Sequence, residues 1–213
     1  MKVIEQEIHS LKNSISEMWA LVHQQLYNAG EAMLTGDKEL AYKVISRERR
    51  VNAFELKIDS DCEDIIALYA PVAIDLRFVL AMYKINTNLE RLGDFAESIA
   101  RFAGNLPEGE PIDPQLVKET RVEEMLSELL SMISLTKEAF EKESSEIASR
   151  IFLKDNLIDE INHNSTAIIA KYIEEHKGSA LAGLYMAGVI RKMERFGDHC
   201  TNICLLYTSD AAD

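Results

Sequence analysis

The sequence is short of the residues that interrupt helices. Its 213 residues include 9 glycines and 4 prolines, whereas 47% of the residues are hydrophobic. Such a chain can sustain long helices, and its hydrophobic fraction is sufficient for a core. It has no uninterrupted apolar run of about 20 residues and no basic segment followed by an apolar one at the start. We therefore expect neither a membrane-spanning helix nor a secretion signal.

Positive charge and cysteine are also scarce. The sequence has 36 acidic and 23 basic residues, which gives a net charge of −13. Direct nucleic-acid binding needs a clustered positive surface, so this balance argues against it and favours cations or basic protein surfaces as partners. The three cysteines, Cys62, Cys200 and Cys204, lack the spacing of a metal finger. We expect them to be reduced and structural, in the cytoplasm.

Apolar residues recur at gaps of three and four along most of the chain, which is the helical period. Breaks fall at Thr35-Gly36-Asp37, where Asp37 is a candidate N-cap, at Pro71, at a linker containing Pro and Gly, and at Lys177-Gly178. Helices this long, joined by short turns, are typical of bundles with antiparallel neighbours. The pattern predicts an all-α fold with six long helices, at about 3–34, 38–69, 72–103, 115–141, 144–176 and from 179 onward.

The second half of the chain repeats the first. Leu89–Asp94 reads LERLGD, and Met193–Asp198, 104 positions later, reads MERFGD. Glu48–Asn52 aligns with Asp155–Asp159 at an offset of 107 positions. An internal duplication is the simplest account. The sequence therefore predicts a tandem pair of three-helix bundles, with the first repeat at 1–104, a linker at 105–114 and the second repeat at 115–203.

The last ten residues, 204–213, read CLLYTSDAAD and do not follow this design. They resemble the translation of a transposon adapter used in preparing sequencing libraries. We interpret them as a non-native tail on a last helix that is truncated at about Ile203. On this interpretation Cys204 and Tyr207 have no function, and the end of the last helix is frayed.

Pairs of acidic residues stand four positions apart on the predicted helices, so that each pair shares one helix face. Like charges at this spacing destabilise a helix by about 0.2–0.5 kcal/mol unless an Arg or Lys of a neighbouring helix, or a bound cation, compensates them. Four carboxylates from two antiparallel helices of the second repeat would suit a cation with oxygen ligands. The first repeat has the same arrangement with Asn in place of one acid. The predicted metal ligands are Glu48, Asn52, Glu90, Asp94, Asp155, Asp159, Glu194 and Asp198.

Neighbouring residues add detail to these motifs. Gly93 and Gly197 precede the second acid of each motif, where close helix approach or room for an ion would explain a glycine that costs about 1 kcal/mol in a helix. Arg91 and Arg195 are expected to pair with carboxylates or to face a partner. His199 is interpreted as a surface or interface histidine rather than as a further ligand.

Signals for an enzyme are weak, because the sequence contains no glycine-rich phosphate loop, no GxSxG and no Cys/His arrangement. Three functions stay open at this point. The first is a non-enzymatic adaptor that uses metal as a structural or interface element. The second is a metal-dependent hydrolase or oxidase with a carboxylate cluster. The third is a metal-free scaffold whose acidic faces bind basic partners.

Several segments, in this order, resemble the PhoU family. They are Val51–Glu55 (VNAFE), Pro71–Arg77 (PVAIDLR), Leu89–Asp94 (LERLGD) and Met193–His199 (MERFGDH). The resemblance extends from about Ile4 to Ile203. It departs from the family pattern at the end of the final helix and at Asn52, where some members carry an acid.

The resemblance implies a cytoplasmic negative regulator of the phosphate-starvation response. Such a protein would link the ATPase of the phosphate ABC transporter to a membrane sensor histidine kinase, and would reach the membrane only through these partners. Members of the family bind iron or zinc clusters on E(D)xxxD surfaces and commonly form homodimers. By resemblance, the ligands would be the eight residues named above.

Overall fold

The computed structural model describes residues 3–105, 112–142 and 144–208, with the backbone alone for residues 207 and 208. All regular secondary structure in these residues is helical, which confirms the all-α prediction. The helices are α1 (Val3–Thr35), α2 (Lys38–Tyr69), α3 (Ala73–Gly104), α4 (Pro114–Thr120), α5 (Val122–Lys142), α6 (Ser145–Glu175) and α7 (Ala180–Thr208).

The helices form two bundles that pack side by side. α1, α2 and α3 pack against one another in the first bundle, and α5, α6 and α7 do so in the second. The bundles meet mainly along α3 and α7, with a smaller contact between α1 and α5. In that smaller contact the buried Trp19 donates a hydrogen bond from Nε1 to the carbonyl oxygen of Ile133 at 3.2 Å. The predicted pair of three-helix bundles is therefore confirmed.

The breaks between the helices of the first bundle lie where the sequence predicts them. The Asp37 carboxylate accepts a hydrogen bond from the backbone N–H of Leu40 at 2.9 Å, which confirms Asp37 as the N-cap of α2. At the corner between α2 and α3, Pro71 is buried, and its neighbours Ala70 and Ala73 have left-handed φ angles of 45° and 47°. Such angles are strained for a residue with a Cβ. The corner is therefore held in one specific conformation.

The predicted fourth helix is wrong in one respect, because Arg121 divides it into α4 and α5. Arg121 has a φ of 56° and ends α4 in the left-handed conformation. α4 packs chiefly on α6, where the Tyr172 hydroxyl donates to Asp113 Oδ2 at 2.6 Å. Arg121 also binds Glu160 of α6, with Nη1 2.8 Å from Oε1. These contacts with α6 favour the break over the continuous helix that local periodicity indicates.

The last helix extends beyond the predicted end at Ile203. α7 is helical as far as Thr208, and Cys204 is buried within it. The expectation that the helix frays from residue 204 is therefore wrong as far as Thr208. The interpretation of 204–213 as a non-native tail stays a prediction, and 209–213 lie outside the described residues, as does most of the predicted linker.

Candidate functional site

α2 and α3 bring one row of oxygen-bearing side chains each to their shared surface. The row on α2 has gaps of four, three and four residues, and the row on α3 has gaps of four, four and three, so each row follows one face of its helix. We call the two rows together the first acidic face. It consists of Glu48, Asn52, Glu55, Asp59, Asn86, Glu90, Asp94 and Glu97.

Two amide side chains of this face each donate a hydrogen bond to one of its carboxylates. Asn52 Nδ2 donates to Glu48 Oε2 at 3.0 Å. Asn86 Nδ2 donates across the helix pair, to Asp59 Oδ1 at 2.8 Å and to the carbonyl oxygen of Glu55 at 2.9 Å. The Oδ1 atoms of Asn52 and Asn86 are buried and accept no hydrogen bond from any described residue. Each amide therefore stabilises a carboxylate through its nitrogen and retains an oxygen that could still act as an acceptor or ligand.

The acids of the first face disfavour each other's ionisation. Burial, followed by the negative charges of Asp94 and Glu55, raises the pKa of Glu90 to about 7. The pKa of Glu48 is raised by burial and then by the charges of Glu97 and Asp94. These effects place acids of α2 and α3 within electrostatic reach of one another. The first face is therefore a surface on which a carboxylate retains a proton near neutral pH.

Arginines on α3 compensate part of this negative charge. Arg91 Nη1 lies 3.2 Å from Asp94 Oδ2, and its Nε lies 3.7 Å from Glu90 Oε2. Arg101 Nη2 lies 2.5 Å from Glu97 Oε1. Both arginines are more than half exposed, so each pair is screened by solvent and adds little stability. The expectation that Arg91 pairs with carboxylates is confirmed.

α6 and α7 form a smaller counterpart, the second acidic face, which consists of Asp155, Asp159, Glu194 and Asp198. Burial, followed by the charges of Asp159, Asp198 and Glu194, raises the pKa of Asp155 to about 6. Burial and then the charge of Asp198 raise the pKa of Glu194. Among the described residues, no Lys or Arg lies within 4.0 Å of these four carboxylates, and Arg195 forms no ion pair. The second face is therefore smaller than the first but less compensated.

All eight sequence-predicted residues thus lie on the two faces, four on each. Sequence reasoning missed Glu55, Asp59 and Asn86, although the same spacing of three and four residues continues the rows to these positions. The described part of the chain holds no group of three or more His, Cys, Asp or Glu side chains arranged to share a metal ion. Metal binding by these residues therefore stays a prediction.

The two motif glycines allow the helices to approach closely. A Cβ on Gly93 would lie 2.9 Å from Val51 Cγ1. A Cβ on Gly197 would lie 3.0 Å from Asp155 Oδ1 and 3.5 Å from Ile158 Cγ2. Val51 and Ile158 are equivalent positions of the repeat, so the same close approach occurs in both bundles. This confirms close helix packing as a reason for glycine at both positions.

The sequence profile of the PhoU domain matches this chain twice, at residues 15–103 and 122–206. The chain belongs to the PhoU family. The two matches coincide with the two bundles, and each PhoU domain contains one complete acidic face.

Individual PhoU proteins resemble this chain over most of its length. The phosphate-specific transport system accessory protein PhoU homolog 1 of Thermotoga maritima is 32% identical over 200 residues, which are 94% of this chain and 85% of that protein. The accessory protein PhoU of Escherichia coli K12 is 33% identical over 201 residues, which are 93% and 80% of the two chains.

Solved PhoU structures share the fold. The crystal structure of PhoU from Pseudomonas aeruginosa superposes with a TM-score of 0.91 at 28% identity, covering 98% of each chain. The phosphate transport system regulatory protein PhoU from Streptococcus pneumoniae superposes with a TM-score of 0.86 at 28% identity, covering 99% of this chain and 98% of that chain.

Histidines near the acidic faces have other surroundings. His199 lies between the two PhoU domains, where its Nδ1 is 2.8 Å from Asn88 Oδ1 and its ring centroid is 5.4 Å from that of Phe95. It is therefore an interface histidine, as expected. The one Glu-x-x-His sequence on α6 joins Glu160 and His163, which are both exposed, and Glu160 binds Arg121. This pair lies outside the second acidic face.

Proposed function

We propose that this chain is a cytoplasmic accessory regulator of phosphate uptake and a negative regulator of the phosphate-starvation response. In this role it links the ATPase of the phosphate ABC transporter to a membrane sensor histidine kinase. The observation that carries the proposal is the match of both bundles to the PhoU domain, with each acidic face inside a matched region. Relatives named as accessory proteins of the phosphate-specific transport system support it. None of the described helices has an apolar stretch long enough to cross a bilayer.

The proposed role is that of an adaptor rather than an enzyme. Burial raises the pKa of the Cys62 thiol to about 12 and also raises that of the Cys200 thiol, so both favour the protonated, unreactive form. All three cysteines are buried and free of disulfides. A carboxylate-cluster metalloenzyme is the alternative that the acidic faces leave open, and measurable turnover of a substrate would favour it.

The chemistry of the acidic faces fits a bound cation. Both faces offer mainly carboxylate oxygens, the donors preferred by hard cations and accepted by iron and zinc. In the second face no described Lys or Arg lies within 4.0 Å of a carboxylate, and burial together with the charges of the other three acids raises the pKa of Asp155. We propose that Glu48, Asn52, Glu90 and Asp94 hold metal on one face, and that Asp155, Asp159, Glu194 and Asp198 hold it on the other. Iron or zinc are the favoured metals.

A bound cation would supply positive charge that relieves repulsion between the carboxylates. The chain's own residues would orient the site, because Gly93 and Gly197 bring the helices close together and Asn52 positions the Glu48 carboxylate. The carboxyl groups whose pKa is raised must lose their protons before they can bind metal. We therefore expect metal content to increase as the pH rises through about 6 to 7, the pKa values of Asp155 and Glu90.

A reporter of the phosphate-starvation response tests the regulatory role. The reporter is placed in a bacterium from which its own PhoU protein has been deleted, so that it stays active in phosphate-rich medium. Expression of this chain should repress it there and leave it active under phosphate starvation. A reporter that stays fully active in both media, with the chain present and folded, would reject the proposal.

Elemental analysis of protein purified without chelator or affinity-tag metal tests the metal sites. We expect Glu90→Gln/Asp94→Asn to remove the metal bound by the first face. Glu194→Gln/Asp198→Asn should remove the metal bound by the second. The matched control is Glu174→Gln/Glu175→Gln, which changes two exposed carboxylates of α6 outside the faces. Unchanged metal content in both face variants would eliminate the ligand assignment, and metal-free wild-type protein would favour the scaffold. We also propose that the chain forms a homodimer, which sedimentation analysis of the same samples tests.

A further inference from the structure

α2 carries opposite charges on its two long sides. The side toward α3 holds the acidic row described above. The side toward α1 holds a row with gaps of four, three, four and three residues, at Lys43, Arg47, Arg50, Phe54 and Lys57. Lys57 Nζ marks this orientation, because it lies 2.9 Å from Ser14 Oγ of α1. One helix therefore separates an acidic surface from a basic one.

The basic side contains cations without partners. We call Lys43, Arg47 and Arg50 the basic surface; all three are exposed, and none forms an ion pair with a described residue, whereas Lys57, at the end of the same row, pairs with Asp61. Arg50 lies over the ring of Phe54, with 5.9 Å from Cζ to the ring centroid. Elsewhere in the described chain, basic residues such as Lys142 and Lys171 pair with an acid four positions away. Like charges three or four residues apart on a helix cost stability, so the row leaves a local repulsion that a bound anionic group would relieve.

Exposed apolar side chains accompany these cations. Tyr42 and Leu56 are 60% and 70% exposed; together with Arg49, seven residues from each, they form the outward-facing row of the helix between the basic and the acidic rows. The surface thus combines guanidinium groups, which bind carboxylates in a bidentate fork, with aromatic and aliphatic contact area. This combination is typical of the centre of a protein interface.

The second repeat has no equivalent of this surface. At an offset of 107 the counterparts of the three cations are Arg150, Lys154 and Leu157. Lys154 is neutralised, since its Nζ lies 2.6 Å from Glu128 Oε2. The basic surface is therefore a property of the first repeat alone.

We propose that the basic surface of α2 binds an acidic segment of a partner protein, a helix or extended strand laid along the helix axis. The row from Lys43 to Phe54 is about 16 Å long, which matches about three turns of a helix. It is only one or two side chains wide and is bordered on the α3 side by the first acidic face. A planar anionic membrane would also approach those carboxylates, whereas a narrow acidic segment meets the cations alone. The proposal rests on the adaptor role for its setting, but it does not involve metal.

Fluorescence anisotropy with a labelled deca-glutamate peptide tests this surface on the full chain. We expect binding at about 50 mM salt that weakens as salt rises, and an affinity loss of about tenfold or more in Arg47→Ser/Arg50→Ser. The matched control is Arg191→Ser/Arg195→Ser. It removes two exposed arginines, four residues apart and without ion pairs to described residues, for the same change in net charge. This control should bind within about twofold of the wild type.

Four results would overturn the proposal. Two concern the peptide: no binding at low salt, or an equal loss of peptide affinity in both arginine variants. The other two are tighter binding to phosphatidylglycerol vesicles than to the peptide, and a self-association of the chain that Arg47→Ser/Arg50→Ser abolishes. The last would make a second copy of the chain the occupant. Circular dichroism verifies that both variants are folded. Because the starvation reporter measures regulation and this assay measures binding, a failure here leaves the proposed function standing, and a failure of the reporter leaves this surface standing.

Discussion

The two repeats share their backbone plan but differ in charge. Gly93 and Gly197 allow close helix approach in both, against the equivalent residues Val51 and Ile158, with the tighter approach at Gly93. The first repeat spreads its oxygen-bearing side chains over eight positions, and Arg91 and Arg101 compensate some of them. The second concentrates four carboxylates without a paired Lys or Arg among the described residues. Packing positions have thus stayed equivalent since duplication, while the surface charges around them have diverged.

This difference indicates that the two faces have different electrostatic requirements. Where the first repeat has Asn86, the second has Ile190 at the equivalent position, buried and apolar. Asn86 holds Asp59 and so extends the first face by one further helical turn. Four sets of substitutions would test how far the repeats have become distinct, and they are taken from the largest expected effect to the smallest.

Asn86→Asp should have the largest effect, because it replaces a buried donor to Asp59 with a second carboxylate. We expect the free energy of unfolding at pH 8 to fall by about 3–5 kcal/mol, the cost of an uncompensated buried charge. Denaturant titration measures this change. Thr87→Asp, on an exposed position of the same helix, should change stability by less than about 0.5 kcal/mol. Equal effects at both positions would show that Asn86 has no special role.

Glu90→Gln should alter the pH dependence of stability in metal-free protein. The pKa of Glu90 in the folded chain is about 7, above its ordinary value of 4.5. The folded state therefore binds the Glu90 proton more tightly than the unfolded state does. The contribution of this proton to the stability of the fold is complete below pH 4.5 and is lost as the pH rises through about 7. At pH 8 the variant should be more stable than the wild type by about 2 kcal/mol.

Asp155→Asn provides the comparison for the second repeat. The stabilising contribution of the Asp155 proton is lost as the pH rises through about 6, the pKa of this residue in the folded chain. Chemical denaturation of both variants between pH 4 and pH 8, in the presence of chelator, measures the two windows. If the free energy of unfolding varies with pH in both variants as it does in the wild type, the repulsion between carboxylates inferred for both faces is absent.

Gly93→Ala and Gly197→Ala should separate the two repeats by packing. The new Cβ at residue 93 meets the short, buried Val51 side chain. The free-energy cost of accommodating it there should exceed the gain in helix propensity, which is about 1 kcal/mol. At residue 197 the contact is a carboxylate oxygen that can rotate away. We expect Gly93→Ala to destabilise by about 1 kcal/mol and Gly197→Ala to be neutral or stabilising. Thermal and denaturant unfolding measure both, and the reverse order would contradict this account.

Arg91→Gln should have the smallest effect, because its ion pairs are exposed to solvent. We expect a loss below about 1 kcal/mol, together with a further rise in the pKa of Glu90, whose charge Arg91 stabilises. Arg195→Gln removes no ion pair within 4.0 Å, so it should change stability less than Arg91→Gln does, although the pKa of Glu194 should rise because the charge of Arg195 lowers it. NMR titration of the Glu90 carboxyl group measures the pKa, and a fall on removal of Arg91 would contradict the contact.

Much of the fold could be predicted because helical periodicity and turn residues act locally. Asp37 and Pro71 mark helix boundaries through hydrogen bonding and backbone geometry of adjacent residues alone, and both lie where expected. The break at Arg121 could not be predicted in this way, because it depends on contacts of α4 with Tyr172 and Glu160 in α6. Those contacts arise only after the second bundle is assembled.

The site could be predicted in part for the same reason. Glu90 and Asp94 share a face by spacing alone, so a single helix is enough to identify them. Asn86 was missed, since its importance comes from Asp59 on a different helix. The opposed charges of α2 are likewise present in the sequence, but their separation toward α1 and α3 depends on how the helix is rotated in the bundle.

The sequence by itself determined the long helices, their turns, the duplication and the acidic motifs, because each follows from residue spacing along one helix. The tertiary structure alone decided which carboxylates face each other, how far their pKa values rise and which cations remain unpaired. The physical reason is that the 3.6-residue period sets geometry within a helix. Contacts between helices depend instead on rotation and axial register, which the packing of the whole core selects.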